Sequence, residues 1–361
     1  MKTFNYYNPV QLHITQKPAE LLASLLIGKR ILFMTSSGWM SRGILDTLKI
    51  DNTQVAAIIS NVSANPSLTE VCNLHQQLEG KQFDVIVAVG GGSVIDAAKV
   101  CAVQIAHDIA DVIKHPQSLE LTLPFMPIIA IPTTSGSSSE LTPWATVWDT
   151  DQKIKYSLHL RNSWCTHAIY CAALTTSLPI HTTLVSSLDA LSHAFESIWN
   201  INYNEVTVSY AFNAIHRIMQ ALPQVMKEPQ KENSRYDLML GSMYAGLAFS
   251  NTQTSLAHAM SYDMTLNNGV EHGFATSFTL CALLETAIKH NEELHNFFVA
   301  HMGKNAVEVL KIWFEGLGIS IQSKDYGIQA ADWERIKSSL AKTSRVKNSL
   351  IYIDDFLKVQ L

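Results

Sequence analysis

The run Phe83-Asp84-Val85-Ile86-Val87-Ala88-Val89 is almost continuously apolar and stops on Gly90-Gly91-Gly92, where a segment of helical spacing begins at once. A strand without polar alternation is covered on both faces, the condition of a parallel sheet with crossover helices. Three more runs fit the same sheet: Arg30 to Thr35, Val55 to Ile59 and Pro127 to Ile131, with helical periodicity over 69–79 and 94–106 between them. Beyond Leu178-Pro179 the β signal fades, and apolar spacings of three and four continue to the C-terminus. The pattern predicts an α/β domain over 1–178 with a Rossmann-like parallel sheet and an all-α domain over 179–361. No internal repeat or low-complexity segment interrupts it.

The glycine triplet sits where a strand turns into a helix, in Gly90-Gly91-Gly92-Ser93-Val94-Ile95-Asp96-Ala97-Ala98-Lys99. Glycine lets backbone approach an anion closely, and the N–H groups of the first helical turn and the helix dipole favour a phosphate there. The spacing is neither GxGxxG nor a P-loop, since Lys99 lies inside the helix and no GK[ST] follows. A tight turn in which glycines only relieve crowding is the competing reading. The polar run Pro132-Thr133-Thr134-Ser135-Gly136-Ser137-Ser138-Ser139-Glu140 follows the fourth strand, where a parallel sheet presents its ligand-binding ends. Its hydroxyls suit ribose or phosphate, although on composition alone it reads as an ordinary serine-rich loop.

Two long stretches, Asn162 to His216 and Tyr236 to Ile288, contain no Lys or Arg, yet they hold Asp189, His193, His258 and His272. Solvated helices seldom lack cations over such lengths, so these side chains are expected to be buried. Buried ionisable groups need partners, and a shared divalent ion provides one for all four. Asp189 and His193 are four apart and share a helix face, opposite a stripe of Leu184, Leu188, Leu191, Phe195 and Ile198. His258 and His272 are fourteen residues apart, the second expected at a helix start after Asn267-Asn268-Gly269. One carboxylate with three imidazoles suits Fe²⁺ or Zn²⁺ better than Mg²⁺ or Ca²⁺. A solvated polar face and singly hydrogen-bonded histidines are the plainer alternatives.

Composition narrows the partners. A net charge of −5 gives no basic footprint for nucleic acid or for an anionic membrane, and no apolar run approaches the ~20 residues that span a bilayer. Five cysteines without CxxC spacing fit free thiols in a reducing compartment. The N-terminal MKTFNYYNPVQ lacks the apolar centre of a signal peptide. The expectation is a cytoplasmic protein acting on a small molecule.

Taken in order, GGGSVIDAAK, PTTSGSSSELT, DALSHAFES, LAHAMS and VEHGFA resemble the iron-containing (group III) alcohol dehydrogenase family of the dehydroquinate synthase-like superfamily. The resemblance runs from Asn65-Pro66 through Glu285. It implies an N-terminal dinucleotide domain, a C-terminal helical domain, a homodimer, and NAD(P)-linked interconversion of a primary alcohol and an aldehyde with Fe²⁺ or Zn²⁺. By the same resemblance Asp189, His193, His258 and His272 are the metal ligands. Gly91, Gly92 and Ser93 form the pyrophosphate loop, Asn65, Thr133, Thr134 and Ser137 are further nucleotide contacts, and Lys155 lies near the nicotinamide ribose.

Departures from the family pattern carry expectations of their own. Many NAD-preferring relatives have an Asp after the first strand, where this chain has Ser36, Ser37 and, further on, Arg42. A carboxylate repels a 2′-phosphate and serines do not, which predicts a tilt toward NADP(H). A frequent further histidine is replaced by Tyr262, a candidate proton donor. Cys171 replaces a frequent Asp, and Gln16-Lys17-Pro18 a glycine-rich turn. The HAFESIWN segment and short C-terminus are similar to the phosphonoacetaldehyde reductase branch, which implies reduction of phosphonoacetaldehyde to 2-hydroxyethylphosphonate. Its phosphonate would need Lys155, Arg161 or His159 nearby; lactaldehyde, propanediol and simple aliphatic aldehydes stand beside it as substrates. A carbocycle-forming lyase of the dehydroquinate synthase type and a non-catalytic nucleotide-binding protein are the alternative functions.

Overall fold

The computed structural model describes residues 3–105, 108–115, 122–149, 151–340 and 343–360. The chain divides into two compact units, Asn8–Leu178 and Pro179–Leu361, the latter joined by the N-terminal segment that ends at Tyr7. That segment groups with the helices because its polar atoms find partners there. The Tyr6 hydroxyl donates to the Leu247 carbonyl (3.1 Å), and Tyr7 and Asn251 exchange two hydrogen bonds (2.9 and 3.1 Å).

In chain order the first unit contains strands β1 (Gln11–Ile14), β2 (Ile31–Thr35), β3 (Val55–Ile59), β4 (Val85–Gly90), β5 (Ile128–Pro132), β6 (Trp144–Asp149), β7 (Ile154–His159) and β8 (His167–Tyr170). Its helices are α1 (Pro18–Leu25), α2 (Ser37–Ser41), α3 (Ile44–Thr47), α4 (Leu68–Gln76), α5 (Gly92–Ala102) and α6 (Ile109–Lys114). Six strands pair in parallel in the order β1-β8-β5-β4-β2-β3. Every residue of β2, β4 and β5 is buried, as their β-branched runs require. Ile31, Phe33, Val87, Val89, Ile129 and Ile131 pack with Leu22 and Ile44 in one core.

Strands β1, β6, β7 and the short β8 were not legible in the sequence. β1 is mostly exposed, and the antiparallel pair β6/β7 alternates residues of mixed polarity, so neither carries the continuous apolar signature of a buried parallel strand.

The second unit is helical: α7 (Ile180–Ile198), α8 (Glu205–Lys227), α9 (Glu232–Thr252), α10 (Leu256–Asn268), α11 (His272–Ser277), α12 (Leu280–His290), α13 (Glu292–Met302), α14 (Ala306–Gly316), α15 (Ala330–Leu340) and α16 (Ile353–Gln360). Helix α7 packs against α8, α9 and α11, and residues 187–198 are buried all round rather than along one stripe. Burial of its polar side is possible because the hydroxyls of Ser187, Ser192 and Ser197 donate to carbonyls one turn earlier, at 2.7, 2.9 and 2.8 Å.

Candidate metal centre and nucleotide turn

Four residues along α7 set Asp189 and His193 one turn apart; α10 contributes His258 in its first turn and α11 contributes His272 as its first residue. Their imidazoles converge on one oxygen. From Asp189 Oδ1 the Nε2 atoms of His258, His272 and His193 lie at 3.2, 3.6 and 3.9 Å. One donor atom each from Asp189, His258 and His272 falls within 4.8 Å of the others. His193 stands outside that tightest triplet, with its ring stacked between Phe249 (3.9 Å) and His258 (4.5 Å).

Three of the four residues are buried as expected, but His272 keeps 28% of its side chain exposed. Its place at the first residue of a short helix, directly after a loop, leaves one side of the ring uncovered. Tyr262 lies parallel to that ring at 6.3 Å. The loop is anchored on α7 by His181, whose Nε2 contacts both Glu271 carboxylate oxygens at 2.8 and 3.0 Å.

Electrostatics show which charge this cage favours. Burial alone would raise the Asp189 carboxyl, but the charge of His193, the hydrogen bond to His258 and the charge of His272 hold it well below the usual carboxylate range. Burial likewise opposes charge on His258, yet Glu196 and Asp189 push it up to about 9. Both His258 ring nitrogens face carboxylates, Nδ1 at Glu196 Oε2 (2.6 Å) and Nε2 at Asp189 Oδ1 (3.2 Å). Three nitrogens and an oxygen gathered on a buried anion match the donor set of Fe²⁺ or Zn²⁺, so the residues fit such an ion.

Glu196 is the residue that sequence reasoning passed over. It is fully buried, and its Oε2 lies 2.6 Å from His258 Nδ1. Its Oε1 accepts hydrogen bonds from Ala257 N (2.6 Å), Ser255 Oγ (3.0 Å) and His258 N (3.3 Å). The carboxylate thus fixes the ring and caps the start of α10 together, keeping the Nδ1 proton so that Nε2 can face an ion. Its position two turns beyond Asp189 was the available signal. Substituting Glu196→Gln should weaken metal affinity roughly 10- to 100-fold. Zn²⁺ titration against a chromophoric chelator measures it, and an unchanged affinity would contradict the assigned role.

In the first unit Ser36, Gly91, Gly92, Ser93, Thr133, Thr134 and Ser137 follow the carboxyl ends of β2, β4 and β5, whereas Lys155 lies on β7 of the separate antiparallel pair. Ser36 precedes α2, and Gly91 precedes α5 with no side chain to cap the first-turn N–H groups. Asn65 takes a left-handed conformation (φ 52°), and its N–H donates to Ser93 Oγ at 3.0 Å. Thr133 donates its N–H to Gly90 O (3.0 Å) and accepts from Trp39 Nε1 (3.0 Å). A Cβ on Gly91 would meet Thr134 Cγ2 at 3.1 Å, and one on Gly92 would meet Ser137 Oγ at 2.2 Å. The glycines therefore admit the close approach of the serine-rich loop. Lys155, on β7, sits over the Trp148 ring at 5.4 Å, and Arg42 over Trp39 at 4.3 Å. All five cysteines are free thiols. Among the described residues no helix is long and apolar enough to cross a membrane.

Comparison with known proteins follows the same division. The family model described as iron-containing alcohol dehydrogenase matches residues 9–171, and that of the C-terminal part of the Fe-containing alcohol dehydrogenase family matches 183–348. A probable alcohol dehydrogenase, EutG, from Escherichia coli (strain K12) is 34% identical over 220 residues, 61% of this chain and 55% of that protein. Phosphonoacetaldehyde reductase from Streptomyces viridochromogenes is 33% identical over 220 residues, 59% of this chain and 56% of that protein. The aligned segment thus spans about half the length of each. Among solved structures, sulfoacetaldehyde reductase from Bifidobacterium kashiwanohense in complex with NAD+ has the same fold, with a TM-score of 0.91 at 24% identity over 99% of this chain and 97% of that one.

Proposed function

The chain belongs to the iron-containing alcohol dehydrogenase family, whose members are oxidoreductases acting on CH–OH groups, and we propose that it interconverts a small primary alcohol and its aldehyde with NAD(P)(H). The observation that carries this reading is the convergence of three imidazoles on one buried Asp189 oxygen. Asp189, His193, His258 and His272 would hold a divalent ion, Fe²⁺ or Zn²⁺. Bound, the dinucleotide supplies hydride and the ion supplies Lewis acidity toward a carbonyl oxygen.

The protein's own groups do the rest. Glu196 holds the His258 ring, and the enclosing helices limit water at the buried ligands. Tyr262, parallel to the exposed His272 ring, is the group assigned to deliver a proton to the product oxygen. The N–H groups after Gly91 and Gly92, with Ser93, receive the pyrophosphate, while Asn65, Thr133, Thr134, Ser137 and Lys155 fix the nucleosides. No side chain attacks the substrate covalently. The family match disfavours the lyase alternative.

Ser36 and nearby Arg42 favour NADP(H), because serine in place of an aspartate does not repel a 2′-phosphate. Ser36→Asp should swing the ratio of kcat/KM values toward NADH by at least ~10-fold. A wild-type enzyme already strongly preferring NADH would refute the assignment.

A negatively charged aldehyde such as phosphonoacetaldehyde is the proposed substrate. The similarity to the reductase named for it supports this, as does Arg345, whose guanidinium lies over the Tyr262 ring at 5.6 Å. In the helical unit that cation stands beside the proposed proton donor, whereas Lys155 and His159 lie on β7 and Arg161 just beyond it. Anaerobic assay of cofactor oxidation with Fe²⁺ or Zn²⁺ restored, against phosphonoacetaldehyde, lactaldehyde and neutral aliphatic aldehydes, decides it. Equal kcat/KM across the panel would remove the anionic preference.

Homodimer formation is proposed on β1, which forms one edge of the sheet with Leu12 and Ile14 exposed, an arrangement open to pairing with a second copy. The free thiols support a cytoplasmic location.

A further inference from the structure

Lys99 lies on the glycine-turn helix α5 and is completely buried, as is the nearby Asp96 apart from a small exposed fraction. A buried ammonium is costly unless its hydrogens are taken, and here they are taken by one loop. Lys99 Nζ donates to Ser139 O (2.6 Å), Trp144 O (2.7 Å) and Thr142 Oγ1 (3.4 Å). One turn earlier, Asp96 Oδ1 accepts from Ser139 Oγ (2.7 Å) and Oδ2 from Thr146 N (2.8 Å). The two charges are 3.9 Å apart. On the loop's other side the Tyr170 hydroxyl donates to the buried Glu140 Oε1 at 2.8 Å.

The grip falls directly beyond the serine-rich segment that presses on the glycine turn. Ser138, the residue before the clamped Ser139, is held in a left-handed conformation (φ 49°, ψ 35°) that a non-glycine residue rarely adopts. Such strain persists where surrounding contacts over-determine the backbone. Ser137 Oγ sits 2.2 Å from where a Gly92 Cβ would stand, so the loop's height above the turn decides the space left for an anion. An apolar side chain at position 99 could fill the core but could not place these carbonyls.

We propose that Lys99 and Asp96 are positioning residues for the dinucleotide: from inside α5 they clamp the 139–146 segment so that Thr133, Thr134 and Ser137 stand preformed against the glycine turn. This rests on the reading of that turn as the pyrophosphate site. Preorganisation lowers the ordering cost of binding, so its loss appears in cofactor affinity and not in the chemical step.

The test compares wild type with Lys99→Met and with the milder Ser139→Ala, which removes one clamp bond and keeps the ammonium. NADPH and NADH dissociation constants are read by fluorescence, and kcat and aldehyde KM at saturating cofactor. The clamp predicts a cofactor Kd raised by ~10-fold or more in Lys99→Met and less in Ser139→Ala, with kcat and aldehyde KM retained. Unchanged Kd in a folded Ser139→Ala together with a folded Lys99→Met overturns the clamp alone. Losses in kcat and aldehyde KM as large as the loss in cofactor Kd would show a merely structural role, which also overturns it; should Lys99→Met not fold, the Ser139→Ala constants decide. A wild type that binds neither nucleotide removes the pyrophosphate reading itself.

Discussion

Replacing Asp189 by Asn is expected to strip the metal and turnover together, leaving kcat/KM at least ~10³-fold below wild type, since several kcal/mol of charge stabilisation at the carbonyl oxygen disappear and each ~1.4 kcal/mol is tenfold. The exchange preserves shape and removes charge. Three imidazoles converge on the Asp189 carboxylate within 3.9 Å, and without it they present a ring of nitrogens with no carboxylate among the ligands themselves. Elemental analysis should find no Fe or Zn retained after purification, and added Fe²⁺ or Zn²⁺ should not restore activity. Wild type stripped by a chelator should regain it. Full turnover by metal-free Asp189→Asn would end the mechanism. Metal occupancy should also fall as the pH is lowered, because the ligands bind only when deprotonated.

The second large effect is expected at Gly273, next to His272. A Cβ built there would lie 1.9 Å from the Val185 carbonyl oxygen and 2.8 Å from its carbon, both backbone atoms of α7. No rotamer change relieves such a contact. Helix α11 would have to lift from α7, moving His272 away from Asp189. Gly273→Ala should therefore destabilise by about 1–3 kcal/mol or more, and weaken metal affinity in the same variant. The control is Gly316→Ala at the end of α14, where nothing lies within 4 Å of the new Cβ and the change should be within about 0.5 kcal/mol. Thermal melts with and without metal measure both. A Gly273→Ala protein as stable as wild type would show that α7 and α11 are not held at this spacing.

The parallel sheet was legible because its central strands need covering on both faces and so lose polar alternation, and because the edge strand β3 is apolar throughout although only partly buried. Val55–Ile59 and the runs ending at Thr35, Gly90 and Pro132 stand where their patterns place them, within two residues at each end. The exposed β1 and the mixed β6/β7 pair carry no such demand and left no comparable trace. Asp189 and His193 were legible for a related reason: helical spacing puts them on one face, and a helix without cations is one that water does not bathe.

Glu196 and Lys99 were visible as letters but not as parts. Glu196 is bonded to His258, 62 positions later, and Lys99 to atoms some 40 positions on; periodicity within one helix says nothing about such distant partners. His272 was expected to be buried and is partly open because its exposure depends on where a loop ends, not on neighbouring residue types.

What the chain determined alone was thus whatever local periodicity and residue chemistry dictate: a βα architecture followed by helices, a glycine turn between a strand and a helix, and a carboxylate with three imidazoles in segments without cations. Only the folded molecule decided which atoms meet, that one Asp189 oxygen is the focus, that Glu196 sets the His258 ring, and that a missing Cβ at Gly273 brings α11 onto α7. Those are contacts between residues far apart in sequence, selected by packing at distances of a few ångströms, a scale to which patterns of three, four or two residues are blind.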